Sequence, residues 1–230
     1  SPKTFSAILN KDVEIYITAA KNFKINTFLN GENHVLEFAY PIPDEEQRFL
    51  EFYAPLQLKF IKEKTGFLPK KIFISKKSKT KNDFFGNDDI KFWKFKFQLF
   101  TDAEKIDLDY ISIISQEIAD QIFVNNKNND HWLTNGLKTY IEMQYLEKFY
   151  ADYKLLGNLP EYKILGIKPL KFSYASKLKL IDRYGLPYQY IMAQNLDQKI
   201  DESLKNMSNF NEFAVSKFET GSLLNFISEK

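Results

Sequence analysis

Apolar and polar residues alternate with a period of two along residues 13–29, and that stretch runs into Asn30-Gly31. Such alternation ending at an Asn-Gly pair predicts strands joined by a tight turn. The next strand is expected over residues 35–40 (VLEFAY), closed by Pro41 and Pro43. From Asp44 the period changes. Phe49, Phe52, Tyr53, Leu56, Phe60 and Ile61 recur at helical spacing as far as Lys64 and Gly66. Asp44 is placed to cap this helix, and Glu45 and Glu46 complement the positive end of its dipole. Pro55 lies inside the pattern and, lacking an N–H, is expected to kink the helix or delay its start.

Residues 70–75 (KKIFIS) read as a short buried strand. Residues 76–89 are polar, with Lys76, Lys77, Lys79 and Lys81 close together. A solvated loop is the plain reading, with phosphate or an acidic partner as the alternative. Over residues 91–100 (KFWKFKFQLF), Trp93, Phe95, Phe97 and Leu99 alternate with Lys94, Lys96 and Gln98. That pattern predicts one strand with a buried face and a lysine-protected edge.

Thr101-Asp102 opens a helix whose stripe is Ile111, Ile114, Ile118 and Ile122, flanked by Tyr110 and Ile113. The amide-rich run 125–130 ends it, because short polar amides favour turns. A second helix follows over residues 133–150, with Leu137, Ile141, Tyr145 and Phe149 on one side. Glycines and prolines then punctuate residues 151–187, predicting loops with short helices, and residues 188–195 and 212–230 are helical again. These elements add up to an α+β fold in one domain. Entry strands occupy 1–43, an α/β part 44–150 and a mostly helical part 151–230.

Composition narrows the function classes. The 230 residues are 44% hydrophobic and 16% aromatic, enough for a sizeable core. Basic and acidic residues number 32 and 30, so the near balance makes no general case for nucleic acid or an anionic membrane. Only Arg48 and Arg183 are arginines, which further weakens phosphate and base readout. With no cysteine, disulfides, thiolate metal sites and a cysteine nucleophile are excluded. No apolar run approaches the roughly 20 residues of a membrane span. The chain opens Ser-Pro-Lys without an initiator methionine, and is expected to be a fragment of a longer protein.

The two long helices carry a pattern of their own. The first includes Gln116-Glu117-Ile118-Ala119-Asp120-Gln121, and the second opens Trp132-Leu133-Thr134-Asn135-Gly136-Leu137-Lys138-Thr139-Tyr140. Downstream comes Lys217-Phe218-Glu219-Thr220-Gly221. In order and approximate spacing these segments resemble the gluzincin zinc aminopeptidases, which include the alanyl aminopeptidases. That family has H-E-x-x-H-Q, then W-L-x-E-G-x-x-x-Y, then Y-E-K-G. Histidines at i and i+4 share a helix face and reach one zinc ion.

The resemblance implies a zincin, thermolysin-like fold, and it places each role on a residue of this chain. The metal ligands fall on Gln116, Asp120 and Asn135, the general base on Glu117, and the tyrosine that supports the tetrahedral intermediate on Phe218. The family's G-x-M-E-N segment, which binds a free amino terminus, has its nearest counterpart in Gly86-Asn87-Asp88-Asp89, without the glutamate. Zinc lowers the pKa of bound water from about 15.7 to about 7, worth on the order of 12 kcal/mol in hydroxide formation. Glu117 alone cannot supply that. His34 and His131 are the chain's only histidines, so no second H-E-x-x-H exists. Oxygen donors at Gln116, Asp120 and Asn135 would suit calcium or magnesium better than zinc. Lys138 and Lys217 are candidates to replace the zinc charge beside Glu117 and Asp120. His131 reads as structural.

The expectation is a catalytically inactive aminopeptidase-like domain that holds no zinc or other cofactor. It would bind an extended peptide or protein, with Trp93, Phe95, Asp88 and Asp89 as candidate contacts, or scaffold neighbouring domains of its parent chain. The alternative is an active metallopeptidase with non-standard ligands. Nucleic-acid binding through the lysine loop and the aromatic strand comes last.

Overall fold

A computed structural model describes residues 26–29, 35–40, 42–74, 90–92, 95–123, 131–163 and 166–229. Three strands form a mixed sheet in the order β1 (Asn26–Leu29), β2 (Val35–Phe38), β3 (Lys71–Ile74). β1 runs antiparallel to β2, with Leu29 opposite Val35, and β2 runs parallel to β3, with Leu36 opposite Ile72. A parallel pair needs a long crossover, and helix α1 (Asp44–Thr65) supplies it. Period two puts Leu36, Phe38, Ile72 and Ile74 on the buried face. Glu37 and Lys71 lie on the other face and pair at 2.7 Å.

The helix from Asp44 has the extent the periodicity predicts, with two differences. Pro43, not Asp44, holds the N-cap position, and no side chain caps it. Asp44, Glu45 and Glu46 instead make up an acidic first turn. Pro55 neither delays nor divides the helix, which runs unbroken across it. Its missing N–H would have served the carbonyl of Glu51, an exposed residue whose carbonyl can turn to water. Meanwhile Leu50, Ala54, Leu58 and Ile61 seat the opposite face in the core. Gly66 ends the helix at φ 68°, donating its N–H to Lys62 O at 2.9 Å.

Residues 91–100 are not one strand. β4 (Ile90–Phe92) and β5 (Phe95–Phe97) pair antiparallel with Phe92 opposite Phe95, so the run folds back on itself. The apolar positions change parity at the reversal, from Ile90 and Phe92 to Phe95 and Phe97, and the adjacent aromatics Phe92-Trp93 are the local sign of it that a one-strand reading passes over. Trp93 lies outside the described residues, as do the polar loop 76–89 with Asp88 and Asp89 and the expected strands before residue 26. Phe95 is in β5. By Phe100 the chain has left the strand. That side chain is buried and stacks on Tyr153 with ring centroids 6.4 Å apart.

Helix α2 (Asp102–Ile122) begins with a capping box: Glu104 N–H donates to Thr101 Oγ1 at 3.3 Å and Thr101 N–H to Glu104 Oε2 at 2.7 Å. Ile111, Ile114 and Ile118 are buried as the stripe predicts, whereas Ile122, the last residue of the helix, is exposed. Tyr110, expected only to flank the stripe, is fully buried edge-on to Phe38. Helix α3 (His131–Phe149) is buried on most of its circumference, including Thr134, Lys138, Glu142 and Gln144. Short 3-10 turns follow at Leu159–Glu161, Tyr174–Ser176 and Leu180–Tyr184, then α4 (Leu186–Ala193). The chain then runs through α5 (Asn209–Asn211), a π-helical segment (Glu212–Glu219) and α6 (Thr220–Ser228).

One buried carboxylate ties the long helices together. Asp107, on α2, is 2% exposed. It accepts hydrogen bonds from Tyr150 Oη at 2.6 Å, Tyr145 Oη at 2.7 Å and Gln57 Nε2 at 2.7 Å. Burial pushes its carboxyl above the ordinary range, and the donors only partly offset this. Asp107→Ala should orphan the Tyr145 and Tyr150 hydroxyls, while Gln57 Nε2 keeps its 2.8 Å bond to the residue-107 carbonyl, and should cost about 3 kcal/mol or more, read as a lower urea midpoint. Asp107→Asn keeps one acceptor and should lose less. Because the folded pKa is raised, the wild-type group gains stability as pH falls through it. The wild-type advantage over Asp107→Asn should therefore widen on acidification, and a gap that narrows would contradict this electrostatic picture.

Candidate functional site

Gln116, Glu117 and Asp120 occupy the last turns of α2 and are half-buried. Helical spacing leaves Gln116 and Asp120 one turn apart on one face. Glu117 Oε1 accepts from Gln121 Nε2 at 3.1 Å, one turn on. Asn135 sits in the second turn of α3, and its Nδ2 donates to Ser216 Oγ at 2.8 Å. Ser216 belongs to the π-helical segment and is fully buried. Phe218, on the same segment, is buried with its ring 4.4 Å from Phe213 and 5.4 Å from Tyr184, both edge-on. The structure thus joins Asn135 to the segment that carries Phe218.

These residues do not fit zinc. Zinc sites are built from imidazole, thiolate and carboxylate, and here two of the three positions hold amides. The Asn135 amide directs its NH2, which cannot coordinate, at Ser216. Among the described residues no group of three or more His, Asp or Glu side chains could hold a metal ion. A cleft of about 500 Å³ opens elsewhere, at the start of α2, lined by Gln98, Phe100, Thr101, Glu104, Tyr153 and Gly157. At 1.5 Å per residue, the 116–120 turn lies roughly 20 Å further along the helix.

Lys138 is 3% exposed, and its Nζ lies 3.3 Å from Glu142 Oε1 on its own helix. The ion-pair partner of this lysine is therefore Glu142, not the α2 carboxylates that the zinc-replacement idea required. Tyr184 Oη donates to Glu142 Oε2 at 3.1 Å and receives Arg183 Nη2 at 3.1 Å. Burial alone would push the Glu142 carboxyl up. Lys138, the Ser112 hydroxyl, Arg183 and Tyr184 together reverse this and hold it below its ordinary range. Sequence reading singled out Lys138 and missed Glu142 and Tyr184. The i, i+4 pairing of Lys138 with Glu142 was the available signal, but the same spacing marks many solvated pairs.

Two glycines of the family-like segments have a packing role. A Cβ on Gly136 would lie 2.1 Å from Thr220 Cγ2 and 2.7 Å from Thr220 Cβ. A Cβ on Gly221 would lie 2.5 Å from Thr139 Cγ2 and 2.7 Å from its Cβ. Each helix therefore offers a threonine to the other's glycine, and α3 and α6 approach closely enough to leave no room for a methyl. Next to this crossing, Tyr188 Oη donates to Glu219 Oε1 at 3.0 Å. Burial raises both groups, Tyr188 up to about 12.

Compared with protein-family models, curated proteins and solved structures, the chain finds no match.

Gly136→Ala would gain about 1 kcal/mol of helix propensity on an open surface. Here it should instead destabilise by about 1–3 kcal/mol through overpacking, with Thr220→Ser in the same chain recovering part of the loss. Thermal denaturation of the wild type and these two variants reads the sign. Lys138→Met leaves Glu142 buried beside fewer positive charges and should cost about 3–5 kcal/mol at neutral pH. In the wild type, the Glu142 contribution is present above the ordinary glutamate pKa and is lost as pH falls through the depressed folded value. In Lys138→Met, desolvation dominates and raises the pKa, so the penalty should shrink on acidification. A penalty that is flat with pH would show that the pair is not the source.

Proposed function

We propose that this chain is a gluzincin-like peptidase domain that has lost hydrolysis and works by holding an extended peptide or protein, or neighbouring domains of a longer chain. The observation that carries the reading is the fate of Asn135 and Phe218. The two positions that would face a zinc ion and a tetrahedral intermediate serve instead to pack α3 against the π-helical segment, through Ser216, Phe213 and Tyr184. The order of elements supports the zincin assignment: a mixed sheet, two long helices, then shorter helices. The glycine notches support it too, since Gly136 and Gly221 persist where the resemblance places them. A domain of this kind holds no zinc. Extended ligands would add as strands beside β4 and β5, which among the described residues pair only with each other.

Two measurements test separate parts of this reading. After dialysis against zinc, elemental analysis should find far less than one zinc per chain, and aminoacyl and peptide substrates should not turn over. One zinc per chain with hydrolysis abolished by Glu117→Gln would overturn the loss of activity and establish a metallopeptidase with unusual ligands. The fold assignment is tested by restoring the ligands. A folded Gln116→His/Asp120→His/Asn135→Glu variant should take up about one zinc, as a tetrahedral site with three protein ligands would. No uptake would sink the zincin geometry while leaving inactivity intact.

A further inference from the structure

We propose that residues 161–163 and 166–179 form a docking surface for an anionic lipid headgroup layer. The segment holds five lysines against one glutamate and no arginine. Its net charge is +4, which leaves the rest of the chain at −2. The near-neutral total therefore hides a local positive patch. Lys168 pairs with Glu161, while Lys163, Lys171, Lys177 and Lys179 are exposed.

Apolar side chains alternate with these charges. Phe172 is 86% exposed, Tyr174 75% and Ile167 69%, with Tyr162 and Leu170 also exposed. Single exposed apolar residues are ordinary, but five within thirteen residues at such exposure form a patch of the kind that marks an interaction site. The backbone beneath them is held in place by successive turns. Lys171 N–H donates to Lys168 O at 3.2 Å, Ser173 N–H to Leu170 O at 3.1 Å and Lys177 N–H to Tyr174 O at 2.9 Å. Ser173 Oγ and Ser176 Oγ add bonds to Leu170 O and Lys171 O at 2.7 and 2.9 Å. The C-terminal end is fastened to the body: Leu155 N–H donates to Leu178 O at 3.0 Å, and Leu180 N–H to Tyr153 O at 2.8 Å. The apolar side chains are thus displayed on a pre-formed frame, and little ordering remains to be done on contact.

The chemistry favours lipid over an acidic protein. Protein interfaces are enriched in arginine and depleted in lysine, and this patch is the reverse. Lysines that flank aromatics can seat their stems in the interface and extend the ammonium to phosphate. Tyrosine rings sit at headgroup level. Stable surface attachment needs two signals, an apolar one and a basic one, and the segment supplies both. Among the described residues no helix is long and apolar enough to cross a membrane, so the contact is peripheral. This inference is independent of the peptidase reading.

Sedimentation of the 230-residue chain with lipid vesicles tests it. The chain should partition onto phosphatidylglycerol-rich vesicles and not onto pure phosphatidylcholine, with binding that weakens as salt rises. A Lys163→Gln/Lys171→Gln/Lys177→Gln variant should bind weaker by roughly fivefold per lysine removed. Phe172→Ser/Tyr174→Ser should bind about tenfold weaker, with an unchanged circular dichroism spectrum because both side chains are solvent-facing. In addition, Phe172→Trp should shift its emission to shorter wavelength on phosphatidylglycerol vesicles. Equal binding to both vesicle types, no binding to either, or binding that both variants retain would overturn the proposal. So would capture of a poly-glutamate peptide without vesicle binding, which would identify an acidic protein partner instead.

Discussion

A buried aspartate sets the positions of the three long helices. Asp107 takes hydrogen bonds from Gln57 on α1, from Tyr145 on α3 and from Tyr150 just beyond α3, all within 2.7 Å. A carboxylate removed from water is costly unless its lone pairs are satisfied, so these donors must arrive together. That requirement fixes how far α1 and α3 can slide along α2. The apolar residues around it (Leu58, Ile61, Ile111 and Leu146) would accept several registers, because burial is non-directional. The hydrogen bonds would not.

A similar logic repeats on the other side of α3. Lys138 and Glu142 are buried together and hold Tyr184 from the 3-10 turn, while Gly136 and Thr139 interlock with Thr220 and Gly221 of α6. Asn135 completes the row by reaching Ser216. One helix thus carries an ion pair, a notch and an amide-to-hydroxyl hydrogen bond within three turns, each directed at a different neighbour. Buried polar groups of this kind restrict the number of acceptable packings, whereas an apolar helix in the same place would tolerate rotation. The π-helical register from Glu212 to Glu219 belongs to this set, since it carries Ser216 and Phe218 inward on the same segment.

The family-like segments divide accordingly. Gly136 and Gly221 have a packing duty, since a methyl at either would collide with a threonine of the facing helix. Asn135 and Phe218, which the resemblance places at chemical positions, hydrogen-bond and pack within the domain. Packing and chemistry impose different constraints. A methyl at Gly136 meets the backbone-anchored Cβ of Thr220, whereas exchanging one ligand side chain for another of similar size leaves a helix crossing untouched.

Sequence alone determined the elements whose signal is local. The period change at Asp44, the isoleucine stripe of α2, its start at Thr101-Asp102 and the order of sheet, helix pair and helical tail all rest on spacing within a turn or two. What tertiary structure decided is whatever depends on a partner distant in the chain. Pro55 stays within α1 because the core face of that helix is seated on both sides of it. Residues 91–100 reverse into two strands although residues 93–99 alternate as a single strand would. Asp107, in a run of ordinary charged residues, becomes the hub because Tyr145 and Tyr150 arrive from about forty residues away. Lys138 pairs with Glu142 inside the protein although the same spacing on a free helix would face water. The physical reason is one of range: propensity and periodicity are summed over neighbours, while desolvation is set by everything that packs around a group.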